Sequence, residues 1–175
     1  MAGGAVGRGR GRSQLVRKRS VSALLNLYAE ILEELRDRGV VRSANSPVGD
    51  YAEHLFATAF NWTLVANSAA GYDAVDGKTR YQIKARRLHS HNRSRQLSFI
   101  RRLPERNFHY LAGVLFNEDY TVLRAALIPH ALLAGNCRFS THANGWLFML
   151  EDNVWDWSGV KDVTTKLKAA AKRIG

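Results

Sequence analysis

The stretch from Gly71 to Arg87, GYDAVDGKTRYQIKARR, alternates in polarity on both sides of an Asp-Gly step. Asp-Gly between two alternating segments marks a β-hairpin, because a two-residue I′ turn needs positive φ at both central positions. With the turn at Asp76-Gly77, Val75 pairs with Lys78 and Asp73 lies opposite Arg80, with Gln82 as its diagonal neighbour. Side chains alternate faces along a strand, so Asp73, Arg80, Gln82, Lys84 and Arg86 share one face. Tyr72, Ala74, Tyr81, Ile83 and Ala85 share the other. The second set is apolar and belongs to a core. The first gathers a carboxylate, an amide, an ammonium and two guanidinium groups, which is the raw material of a site.

The rest of the chain has to supply what covers that hairpin. At 175 residues, with 46% apolar and 23% charged, the chain suits one domain with a real core. No apolar run approaches the ~20 residues that span a bilayer, so no membrane partner is expected. The glycine-rich, basic start has no apolar segment behind it, so no secretory signal is read there. Cys137 is the only cysteine, which excludes an intrachain disulfide and a cysteine-cluster zinc site. These features together predict a cytoplasmic protein.

The net charge of +11 is concentrated. Six of the 26 basic residues lie before Ser20, and ten more lie between Lys78 and Arg106, a window with the single acid Glu105. The remainder of the chain is net acidic. Basic charge that begins at the site-bearing strand points to a polyanion, most simply nucleic acid held through its phosphates.

Along the chain, residues 1–19 are Gly/Arg-rich and predict a disordered tail, leaving 20–175 as a single domain. Leu24, Leu25, Leu27, Tyr28, Ile31, Leu32 and Leu35 recur at helical spacing, with Gly39 as C-cap. This first helix is read as scaffold or as a dimer contact. Ser46-Pro47 opens a second helix, whose buried stripe is Val48, Tyr51, Ala52, Leu55, Phe56 and Ala59. Glu53 sits at the edge of that stripe, where an acid needs a partner: either a site or a nearby arginine. Thr63 to Ala66 predicts a short strand, and Asn67 and Ser68 fall in the loop before the hairpin. After Arg87 a polar, basic loop or short helix is expected. Phe108 to Phe116 is nearly continuously apolar, as in a strand covered on both faces, and turns back into Tyr120 to Ile128. Pro129 starts a helical turn, Arg138–Thr141 and Trp146–Leu150 predict edge strands, and a basic helix runs from about Val160 to Arg173. The fold class expected is α/β of the α+β kind, a central mixed sheet flanked by helices.

The polar face can be read chemically. Magnesium takes hard oxygen ligands and keeps some of its waters. Asp73 offers a carboxylate, Gln82 an amide oxygen, Ile83 a backbone carbonyl, and Glu53 a second carboxylate, direct or through water. Lys84 shares the face and can point at a nucleophile or a phosphate. Such a set suits phosphodiester hydrolysis with Mg²⁺, or with Mn²⁺ in its place.

An acid on a helix, then Asp, a hairpin, and [Asp/Glu/Gln]-x-Lys on the next strand resembles the PD-(D/E)xK nuclease superfamily. That superfamily holds many restriction endonucleases, junction resolvases and methylation-dependent nucleases. The matching positions are Glu53, Asp73, Gln82 and Lys84, and GDYAEHLFATAF, GYDA, YQIKARR and AALIPH also look like small bacterial members. Tyr72 stands where that pattern has proline, and Gln82 where it most often has an acid. The resemblance implies a restriction endonuclease-like fold and a Mg²⁺-dependent DNA endonuclease, with Glu53, Asp73, Gln82 and Lys84 as catalytic residues. It also implies double-stranded DNA as partner and a homodimer that addresses two strands. Arg80, Arg86, Arg87, His89, His91, Arg93, Arg95 and Gln96 are the expected DNA contacts; His89 and His91 are read so, not as a metal pair, because no Cys or acid stands beside them. Trp62, Trp146, Trp155 and Trp157 are assigned to the core. The rival readings are a non-catalytic nucleic-acid-binding module on the same fold, and a junction resolvase.

Overall fold

The computed structural model describes residues 16–66 and 71–174. Most of the tail expected over 1–19, together with Asn67 and Ser68, lies outside the described residues. The helices are α1 (Val21–Asp37), α2 (Val48–Phe60) and α3 (Thr164–Ile174). The strands are β1 (Thr63–Leu64), β2 (Ala74–Asp76), β3 (Thr79–Arg87), β4 (Tyr110–Phe116), β5 (Val122–Pro129), β6 (Arg138–Ser140), β7 (Gly145–Leu147) and β8 (Lys161–Asp162). Six strands form the main sheet in the order β1-β2-β3-β4-β5-β8, and β6 pairs with β7 as a separate hairpin. Only β3 and β4 run parallel within the main sheet; its other neighbours are antiparallel. The architecture is α+β, and no described helix is long and apolar enough to cross a membrane.

The alternation of β3 divides the molecule into two cores. Tyr81 and Ile83 join Ala74, Ala112, Val114 and Phe116 under α2 and α3, which contribute Ala52, Leu55, Phe56, Leu167 and Ala170. Trp62 stacks on Tyr81 at 3.7 Å between ring centroids and on Phe56 at 5.7 Å. Leu111, Leu115, Ala126 and Ile128 point the other way, into a core shared with Leu97, Ile100, Leu103, Phe148 and Leu150. β4 is thus covered on both faces, as its continuous apolar run predicts. A parallel β3–β4 pair needs a long crossover, usually a helix. Here residues 88–109 make it without an α-helix, tied down by the isolated bridges Gln96–Met149 and Ile100–Trp146. That crossover forms the second face of the sheet, and with it one wall of the site.

Several boundaries differ from the sequence reading. The hairpin turn is Gly77-Lys78, one residue later than expected, and Asp76 pairs with Thr79. Gly77 has φ +55° whereas Lys78 is not in the left-handed region, so the turn has only its first central residue there, as type II′ requires, and not both as in I′. Val75 therefore pairs with Arg80, and Asp73 comes opposite Gln82 instead of Arg80. The partner shifts by two residues, an even step, so the faces survive the error. Tyr72, outside the β2 ladder, leaves its assigned face and packs on the crossover core. Pro47, not Ser46, caps α2, and the last helix begins at Thr164 after the short strand β8. The expected edge strands at 138–141 and 146–150 pair with each other as β6 and β7. α1 is capped by the Ser20 hydroxyl, which accepts from the Ala23 N–H, yet none of its residues is buried.

Candidate active site

The ladder between β2 and β3 starts at Ala74, so Asp73 stands where the two strands part. Its backbone N–H still donates to the Tyr81 carbonyl at 2.8 Å. Its side chain turns to the next residues of β3. Asp73 Oδ2 accepts from Gln82 Nε2 at 2.5 Å and from the Ile83 N–H at 2.6 Å. Both donors use the same oxygen, which leaves Oδ1 without a hydrogen-bond partner among the described residues. In a strand the N–H and C=O of one residue point to the same edge, so the Ile83 carbonyl lies on the Asp73 side as well. Gln82 is 6% exposed, the one buried polar residue among those described. Its amide is satisfied by donating, so in this arrangement the nitrogen, not the oxygen, faces Asp73.

Beside this pair a cleft of about 250 Å³ is lined by Gly71, Tyr72, Asp73, Gln82, Lys84, Phe99, Arg101 and Arg102. Lys84 follows Gln82 on the same face, and no ion pair engages its ammonium among the described residues. The crossover contributes Phe99, Arg101 and Arg102, three residues absent from the list drawn from sequence. Gly145 of β7 makes their placement possible, since a Cβ there would stand 3.0 Å from the Phe99 Cβ. The signal available was the density of arginines in the window; which of them return to the hairpin depends on a crossover that alternation does not encode.

Glu53 approaches from α2. Asp50, one turn earlier, accepts at Oδ2 from the Arg42 N–H (2.9 Å), the Ser43 N–H (2.8 Å) and the Ser43 hydroxyl (2.9 Å). These bonds outweigh burial and hold the Asp50 carboxyl below its ordinary range. They also pin Arg42 against the helix, where its guanidinium forms a salt bridge with Glu53 and donates to the Val65 carbonyl at 3.2 Å. Burial and then the negative charge of Asp73 push the Glu53 carboxyl up; Arg42 opposes this without cancelling it. A carboxylate whose anion is disfavoured by burial and by a neighbouring acid favours added positive charge beside it. Arg42 is the arginine partner that sequence left unnamed.

The proposed DNA contacts separate. Arg86 lies on the cleft face and donates from Nε to the Ser94 carbonyl at 3.2 Å. Arg80 stands over the Tyr72 ring, 5.5 Å from its centroid. Arg87 points to the opposite face, where it donates to the Glu118 carbonyl and the Tyr120 hydroxyl and lies 4.3 Å over the Tyr120 ring. Arg95 sits 2.7 Å from Asp152 Oδ1, an ion pair without an aligned hydrogen bond. His89 and His91 stack at 5.3 Å, and His89 is 3.9 Å from Glu118. His89 and Arg93 border a separate groove. Gln96 is drawn into the bridge with Met149. Of the eight, Arg80 and Arg86 share the Lys84 face of β3, and Arg80 stacks on Tyr72, which lines the cleft.

Among the described residues no three His, Cys, Asp or Glu side chains converge as metal ligands. A cation at this fork would rest on two carboxylates, Asp73 and Glu53, completed by neutral oxygens of Ile83 and Gln82. No family model matches the chain, and a search of curated proteins finds no match.

Proposed function

We propose that the chain is a Mg²⁺-dependent DNA endonuclease whose centre is the fork between β2 and β3. The observation that carries this is the unshared Asp73 Oδ1 beside the Ile83 edge, in a cleft that Lys84 also lines, with Asp73 adding to the cost of the Glu53 anion. The donor set fits a hard divalent ion: carboxylates and carbonyl oxygens, with Gln82 contributing its oxygen once its amide rotates. When bound, Mg²⁺ lowers the pKa of its water and stabilises charge on phosphate oxygens. The chain does the rest. Lys84 orients the nucleophile and balances developing negative charge, Arg101 and Arg102 hold the phosphodiester at the cleft, and Arg86 extends the positive surface. Arg42 sets a positive charge against Glu53, and Glu53 would be available to a cation only with that salt bridge opened.

Two strands require two such centres, which motivates a homodimer. The face of α1 carrying Val21, Leu25, Tyr28 and Ile31 is exposed and suited to a second copy. Light scattering of the native chain and of Leu25→Glu tests this: a dimer that the substitution converts to monomer is expected.

Plasmid cleavage in Mg²⁺ or Mn²⁺ tests the activity, with linear, methylated and branched substrates alongside. Wild type should nick or linearise DNA, and Asp73→Ala and Lys84→Ala should each lose on the order of 10²-fold or more. No product on any substrate that both variants abolish would end this reading. The Arg42–Glu53 salt bridge favours the second reading, a binding module that has lost cleavage. That module would bind DNA with steep salt dependence and stay indifferent to metal.

A further inference from the structure

A second groove, about 550 Å³, opens next to the cleft and is lined by Arg101, Arg102, Pro104, Phe139, Asn144 and Trp146. The two hollows share Arg101 and Arg102. Phe139 is 45% exposed, although the aromatic rings of the main cores are covered. Its ring lies 5.3 Å from Trp146 at 57°, so the pair forms a corner instead of a closed stack. Phe139 stands on β6 and Trp146 on the paired β7, whose register places the two directly opposite. Arg101 fixes the hairpin from the other side, donating from Nη1 to the Ala143 and Asn144 carbonyls at 3.3 and 3.5 Å. Among the described residues no acid lines the groove.

A wall of guanidinium groups beside an open aromatic corner has a specific chemical complement. Phosphates suit the arginines; a flat π-system suits Phe139 and Trp146. In a duplex both faces of each base are already stacked, so a base can meet such a corner only when unpaired or swung out. We propose that this groove is a subsite for an unpaired nucleobase, and that the substrate is single-stranded or locally opened DNA running past Arg101 and Arg102 into the cleft. This deepens the nuclease reading, from which it takes the identity of the cleft, but binding at the groove requires no cleavage. Trp146, packed against the second core as expected, also forms a wall of the groove.

The test is equilibrium binding in EDTA, by anisotropy, of a labelled single strand and a blunt duplex of the same sequence. Wild type, Phe139→Ala and Phe139→Tyr are compared. Wild type should prefer the single strand. Phe139→Ala should weaken single-strand binding by about ten-fold and leave duplex binding unchanged, and Phe139→Tyr should restore the loss. A single strand carrying 2-aminopurine should show quenching with wild type that Phe139→Ala removes. Equal affinity of wild type and Phe139→Ala for the single strand overturns the proposal, as does an equal loss on both substrates. Cleavage of the same oligonucleotides in Mg²⁺ by wild type and Asp73→Ala reports on the nuclease reading alone, so the two can fail separately.

Discussion

The two faces of β3 solve opposite problems with one alternating sequence. Toward α2, Tyr81 and Ile83 are buried among aliphatic and aromatic groups, and Tyr81 stacks against Trp62. Toward the crossover, Gln82 and Lys84 occupy equivalent positions but meet Asp73, Arg101 and Arg102. The first face needs nothing beyond apolar area and close packing, worth ~25 cal/mol per Å² covered. The second holds groups whose burial costs free energy unless each finds a partner, and Asp73 supplies it through a single oxygen. Stability on the helix face should therefore ignore metal, and stability on the cleft face should follow it.

Four substitutions can break or sharpen that contrast. Phe56 is fully buried on the helix face, so Phe56→Ala should cost about 3–5 kcal/mol in urea unfolding. The same loss should appear with EDTA and with Mg²⁺; a loss that metal relieves would dissolve the distinction between the faces. Gln82→Glu makes the reverse case. It places a buried carboxylate where an amide now donates to Asp73, and should cost about 3 kcal/mol in EDTA. Mg²⁺ should recover most of it by binding the folded state alone. Failure of Mg²⁺ to recover it would separate the polar face from metal binding. Gly77→Ala, at the turn both faces share, should cost about 1 kcal/mol because φ is +55°, irrespective of metal.

The smallest effect concerns Glu53 and carries a sign. Its folded-state carboxyl titrates above the ordinary value, because burial and Asp73 disfavour the anion. The folded protein then binds more protons than the unfolded chain just above the ordinary carboxylate range. In EDTA, stability should fall as pH rises through that window. Glu53→Gln should flatten the fall and leave the metal-free protein at least as stable near neutrality, by less than about 1 kcal/mol. Melting curves from pH 4 to 7 check this; a steeper fall in Glu53→Gln would mean that the Arg42 salt bridge dominates.

Alternation made the faces legible, because period two assigns each side chain independently of exact register. The turn was misplaced because Asp-Gly signals a I′ turn while Gly77 serves equally as the first residue of type II′. The same parity separates Arg86 from Arg87, so Arg87 belonged to the helix face on grounds already present in the sequence. Arg42, Phe99, Arg101 and Arg102 were not readable in this way. They arrive through loops whose paths are set by Asp50 holding Arg42 and by the crossover pairing with residues 146–149. The exposure of α1 was also hidden, since helical spacing shows an apolar stripe but not what covers it.

The central claim is that the fork between β2 and β3 holds one divalent ion. Calorimetric titration of the protein with Mn²⁺, for wild type, Asp73→Ala and Lys84→Ala, tests it most directly. The account expects one site per chain in wild type, lost in Asp73→Ala and kept in Lys84→Ala, where removal of a neighbouring positive charge leaves affinity equal or higher. Absence of Mn²⁺ binding to wild type, or binding that survives Asp73→Ala unchanged, would contradict it.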